Sequence, residues 1–118
     1  MAARVLVVED ERVLLGLLGR FLSQSGFQIS GFGSGAEALA AFAEEPEAYR
    51  AAVIDLTLPD YMGTELLARL RAKNPELAAV LCSGFPEPPP EASQPRTCFL
   101  QKPFLPQQLR DALLGLLA

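Results

Sequence analysis

The chain predicts a doubly wound α/β domain: a five-stranded parallel sheet, strand order 2-1-3-4-5, with helices on both faces. Three observations lead there. Short apolar runs alternate along the chain with stretches whose apolar residues recur every three to four positions, the marks of strands and helices in turn. The runs are continuously apolar, as in strands buried on both faces of a parallel sheet. The strand ends carry acids, a hydroxyl and a lysine, and an open parallel sheet gathers its carboxyl ends on the one edge where ligands bind.

Taken in order, Arg4 to Val8 is the first strand, followed at once by Glu9-Asp10-Glu11. Val13, Leu14, Leu17, Leu18, Phe21 and Leu22 repeat at helical spacing, so a helix runs from Glu11 to Ser25 and stops at Gly26. Phe27 to Phe32 is the second strand. Ser34-Gly35-Ala36-Glu37 has the form of a capping box and opens a helix with Leu39 and Phe42 inward, ending near Pro46. The third strand, Ala51-Ala52-Val53-Ile54-Asp55, ends on a carboxylate, and its loop runs through Pro59 to Gly63. Leu66, Leu67 and Leu70 mark the next helix, which stops at Asn74-Pro75 because a residue before proline is pushed out of helical geometry. Ala78 to Cys82 is the fourth strand, ending at Ser83-Gly84, and Cys98 to Gln101 is the fifth, closed by Lys102-Pro103-Phe104. Leu109, Leu113, Leu116 and Leu117 build the last helix, with Pro106 tolerated in its first turn.

Composition narrows the function. With 118 residues, half of them hydrophobic and a fifth charged, the chain reads as one globular domain, residues 1–118. A net charge of −4 without a Lys/Arg cluster argues against direct nucleic-acid binding, which needs a basic face. The absence of histidine removes His-based catalysis and His metal sites. Cys82 and Cys98 form neither a CxxC nor a metal spacing. With Ser83 taken as level with Lys102, these thiols fall three residues apart along neighbouring strands, roughly 10 Å, beyond disulfide reach. The first apolar run is too short for a secretory signal or a membrane span, so the protein is expected in the cytoplasm, without membrane contact.

The strand ends form a constellation. The strand order sets the first strand beside the third, making Asp10 and Asp55 neighbours. Two carboxylates about 4 Å apart repel by roughly 4 kcal/mol at an effective dielectric near 20. The pair needs a cation or a shared proton, and Mg²⁺, usually held by one or two carboxylates plus phosphate oxygens, is the natural guest. Asp55 is then placed to accept a phosphoryl group, with Lys102 supplying charge, Ser83 a hydroxyl and Gly84 room beside it.

At these residues the chain resembles the receiver domain of two-component response regulators. The parts are Val7-Val8-Glu9-Asp10-Glu11, Asp55-Leu56-Thr57-Leu58-Pro59-Asp60 closed by Met62-Gly63, Ser83-Gly84, and Lys102-Pro103-Phe104. Each alone is a weak signal; together, in this order at these strand ends, they are specific. The resemblance implies a flavodoxin-like fold in which Asp55 takes a phosphoryl group from a phosphohistidine on a sensor histidine kinase or a histidine phosphotransfer protein. It implies Mg²⁺ held by Asp10, Asp55 and the backbone carbonyl of Thr57, with Glu9 acting through water. Ser83 and Lys102 would contact the phosphoryl oxygens, Ser83 and Phe99 would act as switch residues, and Lys102-Pro103 would be a cis peptide. Such a domain is no enzyme toward an outside substrate but assists its own phosphorylation and dephosphorylation. With no effector domain following Ala118, the expectation is a stand-alone receiver or one excised from a larger regulator with an output domain or from a parent hybrid kinase.

Simpler readings exist for each part. Glu9-Asp10-Glu11 could only start a helix, Asp55 to Gly63 could be only a strand-to-helix turn, Ser83-Gly84 is a common turn, Lys102 could be merely solvated, and Phe99 could be core. Their joint position on one sheet edge favours the site. A haloacid-dehalogenase-like phosphatase would want a second acid where Thr57 stands. A flavodoxin-like cofactor binder would want a glycine- and hydroxyl-rich loop where Glu9 to Glu11 stand. A receiver-like interaction module that is never phosphorylated remains as the alternative.

One stretch departs from the family. Where receivers place a helix between the fourth and fifth strands, Phe85 to Arg96 carries five prolines. Prolines block helical geometry, so the expectation is an irregular, partly extended, mobile segment with at most one turn, about Pro90 to Gln94. The usual signalling face would be incomplete, shifting partner contacts to the first helix or the loops around the site.

Overall fold

Five runs of β-branched and small apolar residues form the strands of the computed structural model, which describes residues 2–118: β1 (Arg4–Val8), β2 (Gln28–Phe32), β3 (Tyr49–Asp55), β4 (Ala78–Ser83) and β5 (Thr97–Gln101). They pair parallel in the order β2-β1-β3-β4-β5, as predicted. Between them lie α1 (Arg12–Gln24), α2 (Gly35–Glu44), α3 (Gly63–Lys73) and α4 (Pro106–Leu117), with single 3₁₀ turns at Pro46–Ala48 and Pro90–Ser93.

Side chains alternate across a strand, so the sheet divides the apolar residues into two cores. Leu6, Val8, Ala52, Ile54, Ala79 and Leu81 face α2 and α3, where Phe42, Leu66, Leu67 and Leu70 meet them. Val5, Val7, Ala51, Val53, Val80 and Cys82 face α1 and α4, packing with Leu18, Leu22, Leu109 and Leu113. The central strands β1, β3 and β4 are therefore rooted on both sides, and their carboxyl ends are fixed with them.

Three details differ from expectation. Of the α1 residues at helical spacing, Val13 and Leu17 face solvent, 72% and 54% exposed; only Leu18 and Leu22 are fully packed. The apolar stripe of α1 is wider than the strip the sheet covers. Ser83 pairs with Gln101, one residue earlier than the expected Lys102. Cys98, opposite Val80, thus sits two residues rather than three from the level of Cys82, a separation of about 8 Å for a 3.3 Å rise and 4.8 Å strand spacing. Both thiols are free. The capping box at α2 is half formed: Ser34 Oγ accepts from the Glu37 N–H at 3.3 Å, but Glu37 Oε1 accepts from the Ser34 hydroxyl at 3.0 Å.

The proline-rich segment contains one 3₁₀ turn, Pro90–Ser93, flanked by extended backbone at Pro89 and Gln94. No helix of the family's kind stands there. Its far end is held by Arg71 of α3, whose guanidinium donates to Gln94 Oε1 at 3.1 Å and to the carbonyls of Leu77, Pro95 and Arg96 at 3.0, 3.4 and 3.1 Å.

Candidate functional site

β1 and β3 run in register with Val8 opposite Ile54, so Glu9 and Asp55 leave the sheet side by side. Glu9, Asp10 and Asp55 each offer a carboxylate oxygen within 4.8 Å of the others. Glu9 and Asp55 are buried, 4% and 7% exposed; Asp10 is exposed. Lys102 reaches in from the end of β5, its Nζ 2.6 Å from Glu9 Oε1 and 3.1 Å from Asp55 Oδ2. The remaining oxygens take backbone donors: the Glu11 N–H gives to Glu9 Oε2 at 3.1 Å and the Thr57 N–H to Asp55 Oδ1 at 3.1 Å. Buried carboxylates are tolerated only when satisfied this way.

The charges act on one another. Burial pushes the Glu9 carboxyl above its usual value, aided by the Asp55 charge and opposed by the hydrogen bonds from Lys102 and the Glu11 amide. Burial alone would lower the Lys102 ammonium, but its hydrogen bonds to Glu9 and Asp55 win and raise it. Lys102 is thus a firmly held cation between two acids.

Local backbone fixes these positions. The Lys102 N–H donates to the Ser83 carbonyl at 2.7 Å, and the Leu56 N–H to that of Cys82 at 2.8 Å. The Lys102-Pro103 peptide is cis, as the resemblance implies. α3 begins against the end of β3: a Cβ on Gly63 would lie 2.7 Å from the Asp55 carbonyl oxygen, so only glycine closes this loop. Thr57 bridges Met62 across it.

Four of the seven singled-out residues, Glu9, Asp10, Asp55 and Lys102, come together directly, and Thr57 joins through its amide. Ser83 is buried at the neighbouring strand end, its hydroxyl accepting from the Phe85 N–H at 3.0 Å. A Cβ at Gly84 would meet nothing within 4 Å, so this side of the site is open. Phe99, half-buried opposite Leu81, packs on the α2/α3 core. Sequence reasoning gave Asp60 no role, yet its carboxylate accepts from the Gly35 and Ala36 N–H groups, both at 2.9 Å. An acid at a loop tip after proline was the available signal, but its target on another element was not.

Residues 5–114 match the family model of the response regulator receiver domain. The chain is 31% identical over 111 residues to the response regulator receiver protein CpdR of Brucella abortus, covering 92% of this chain and 88% of that one. It is 32% identical over 111 residues to the sensor kinase CckA of the same organism, covering 92% of this chain but 12% of the kinase. The crystal structure of the receiver domain from the hybrid histidine kinase CckA superposes with a TM-score of 0.86 at 24% identity, covering 98% of this chain and 100% of that one. The chain spans about half or less of the length of several regulatory proteins that it matches. It belongs to the response regulator receiver domain family, the phosphorylation-based signalling domain of two-component systems.

Proposed function

We propose that residues 1–118 act as a single phosphoacceptor unit in which Asp55 takes a phosphoryl group from a phosphohistidine on a sensor histidine kinase or a histidine phosphotransfer protein. The observation that carries this is the setting of Asp55. It lies at the open sheet edge, with one carboxylate oxygen held by the Thr57 amide and the other facing the Lys102 ammonium.

Glu9, Asp10 and Asp55 supply an all-oxygen donor set, which fits a hard divalent cation such as Mg²⁺. Asp10, Asp55 and the Thr57 carbonyl would hold it, with Glu9 acting through water. When bound, Mg²⁺ would neutralise charge between the carboxylates and the incoming phosphate. Asp55 forms the new P–O bond as the P–N bond to the donor imidazole breaks, and the imidazole leaves with the electron pair and takes up a proton. Thr57 fixes the carboxylate's orientation, and Lys102 turns its charge from carboxylate to phosphoryl oxygen. Ser83, whose oxygen accepts from the Phe85 amide, donates its hydroxyl proton to a phosphoryl oxygen, and Phe99, beside the proline-rich segment, moves with it. Attack by water on the same phosphorus reverses the state, so the chain assists its own phosphorylation and dephosphorylation without turning over an outside substrate.

The signal leaves through partner binding in the cytoplasm, in a stand-alone receiver or beside an output or parent kinase domain. With only a 3₁₀ turn between β4 and β5, contacts fall on α1 and the loops at the site. There Val13, Leu17 and Leu105 are exposed, and Glu11, Leu14, Lys102, Pro103 and Phe104 line a cavity of about 410 Å³. An unphosphorylated interaction module would give no reason for two buried carboxylates around a lysine.

Incubation with acetyl phosphate and Mg²⁺ tests the reading. Intact-protein mass spectrometry should show one added phosphoryl group on the wild type and none on Asp55→Asn; equal labelling of both would overturn it. EDTA or Asp10→Asn should suppress labelling, and full-rate labelling in EDTA would remove Mg²⁺ from the mechanism.

A further inference from the structure

The loop between β3 and α3 is held from outside the site. Thr57 and Met62 bridge its base, and the Gly63 N–H donates to the Leu56 carbonyl at 3.1 Å. Its tip reaches sideways to the first turn of α2, where the two oxygens of Asp60 accept from the Gly35 and Ala36 amides, both at 2.9 Å. These are two of the N–H groups a helix start leaves without intrahelical partners. Tyr61 lies directly on the same turn: a Cβ on Gly35 would collide with its ring. The Arg69 guanidinium lies over the Tyr61 ring, 5.2 Å from its centre.

Both ends of this bridge lead to the acidic cluster. On one side Asp60 lies three residues beyond Thr57, whose amide orients Asp55. On the other, Ser34 and Gly35 follow Phe32, whose carbonyl accepts from the Glu9 N–H at 3.0 Å. The bridge therefore joins the loop carrying Asp55 and Thr57 to the segment that anchors Glu9. The α2 start has its own cap in Ser34, which accepts from Glu37, so Asp60 supplies a link between loops that Ser34 does not.

We propose that Asp60 is a positioning residue: by clamping the β3–α3 loop onto the first turn of α2, with Tyr61 seated on Gly35, it holds Asp55 and the Thr57 carbonyl in the geometry that takes up Mg²⁺. The proposal rests on the reading of the acidic cluster as an Mg²⁺-dependent phosphoacceptor site. Groups that orient metal ligands from behind typically change metal affinity by 10–100-fold when removed, and the clamp acts through a loop, at the weak end of that range.

The test is Mg²⁺ titration by calorimetry without phosphodonor, on wild type, Asp60→Ala, Asp60→Asn, Gly35→Ala and Ser34→Ala, with thermal melts of each. Asp60→Ala should bind Mg²⁺ about tenfold more weakly, and Asp60→Asn, which keeps one acceptor, should fall between it and wild type. Gly35→Ala should weaken binding too, because the new methyl displaces Tyr61 while leaving Asp60 intact. Ser34→Ala should lower the melting temperature and leave Mg²⁺ affinity little changed. Wild-type affinity in Asp60→Ala, or an equal loss in Ser34→Ala, would overturn the proposal alone, the latter by reducing the effect to α2 stability. A wild-type chain that takes up no Mg²⁺ would overturn it together with the reading beneath it.

Discussion

Lys102 is the cation of the site when no metal is bound, and removing it has a calculable cost. Lys102→Met keeps most of the aliphatic stem and deletes the ammonium that lies 2.6 Å from Glu9 and 3.1 Å from Asp55. What remains is two buried carboxylates with oxygens within 4.8 Å, which at an effective dielectric near 20 repel by about 3.5 kcal/mol. The lysine side chain keeps 23% of its accessible surface, so entering water relieves part of this; a net loss of about 2 kcal/mol is expected. Urea denaturation in EDTA at neutral pH reads it as a lower midpoint at unchanged slope. Adding Mg²⁺ should recover most of the loss, since a ligand that binds only the folded state stabilises it. A variant as stable as wild type in EDTA, or one that Mg²⁺ stabilises no more than wild type, would refute the claim that Lys102 and the metal balance the same charge.

Three further outcomes follow from particular contacts. Cys82 is buried and its thiol is pushed up to about 12, chiefly by burial, so iodoacetamide should label Cys98 well before Cys82 on the native protein; equal rates would contradict the packing. Arg71→Ala removes four hydrogen bonds that pin residues 94–96 and the end of α3. It should cost about 1–3 kcal/mol and speed amide exchange across 85–96, whereas two or more protected helical turns there in wild type would contradict the absence of a helix. The Ala36 and Gly35 amides hold the Asp60 carboxyl below its ordinary 3.8. Its contribution is thus full above the unfolded value and lost as pH falls through the folded one. The stability gap between wild type and Asp60→Asn should close on acidification through that window, and a gap independent of pH would argue against the clamp.

The sheet order, and the gathering of polar groups at one sheet edge that makes up the candidate site, were legible because both rest on local signals. Apolar runs ending in Asp55, Ser83 and Gln101-Lys102 fix which edge collects the polar groups, and parallel topology does the rest. Register was legible only to within a residue: nothing local says whether Ser83 stands level with Gln101 or Lys102, and the actual pairing moves Cys98 one step closer to Cys82. Val13 and Leu17 carry the same helical spacing as Leu18 and Leu22, and periodicity cannot say how much of a stripe the sheet will cover. The prolines of 85–96 limited that segment to at most one turn, and one 3₁₀ turn, Pro90–Ser93, is what forms. What holds that segment, Arg71, and what holds the β3–α3 loop, Asp60, act on residues more than twenty positions away, and no local pattern marks either partner.

The central claim is that Asp55, and no other carboxylate of the cluster, becomes the acyl phosphate. After incubation with acetyl phosphate and Mg²⁺, borohydride reduction converts an aspartyl phosphate to homoserine, and peptide mapping locates it. Homoserine is expected at position 55 alone, and absent when EDTA replaces Mg²⁺. Reduction at Asp10 or Glu9, or a phosphorylated protein with Asp55 unmodified, would contradict it.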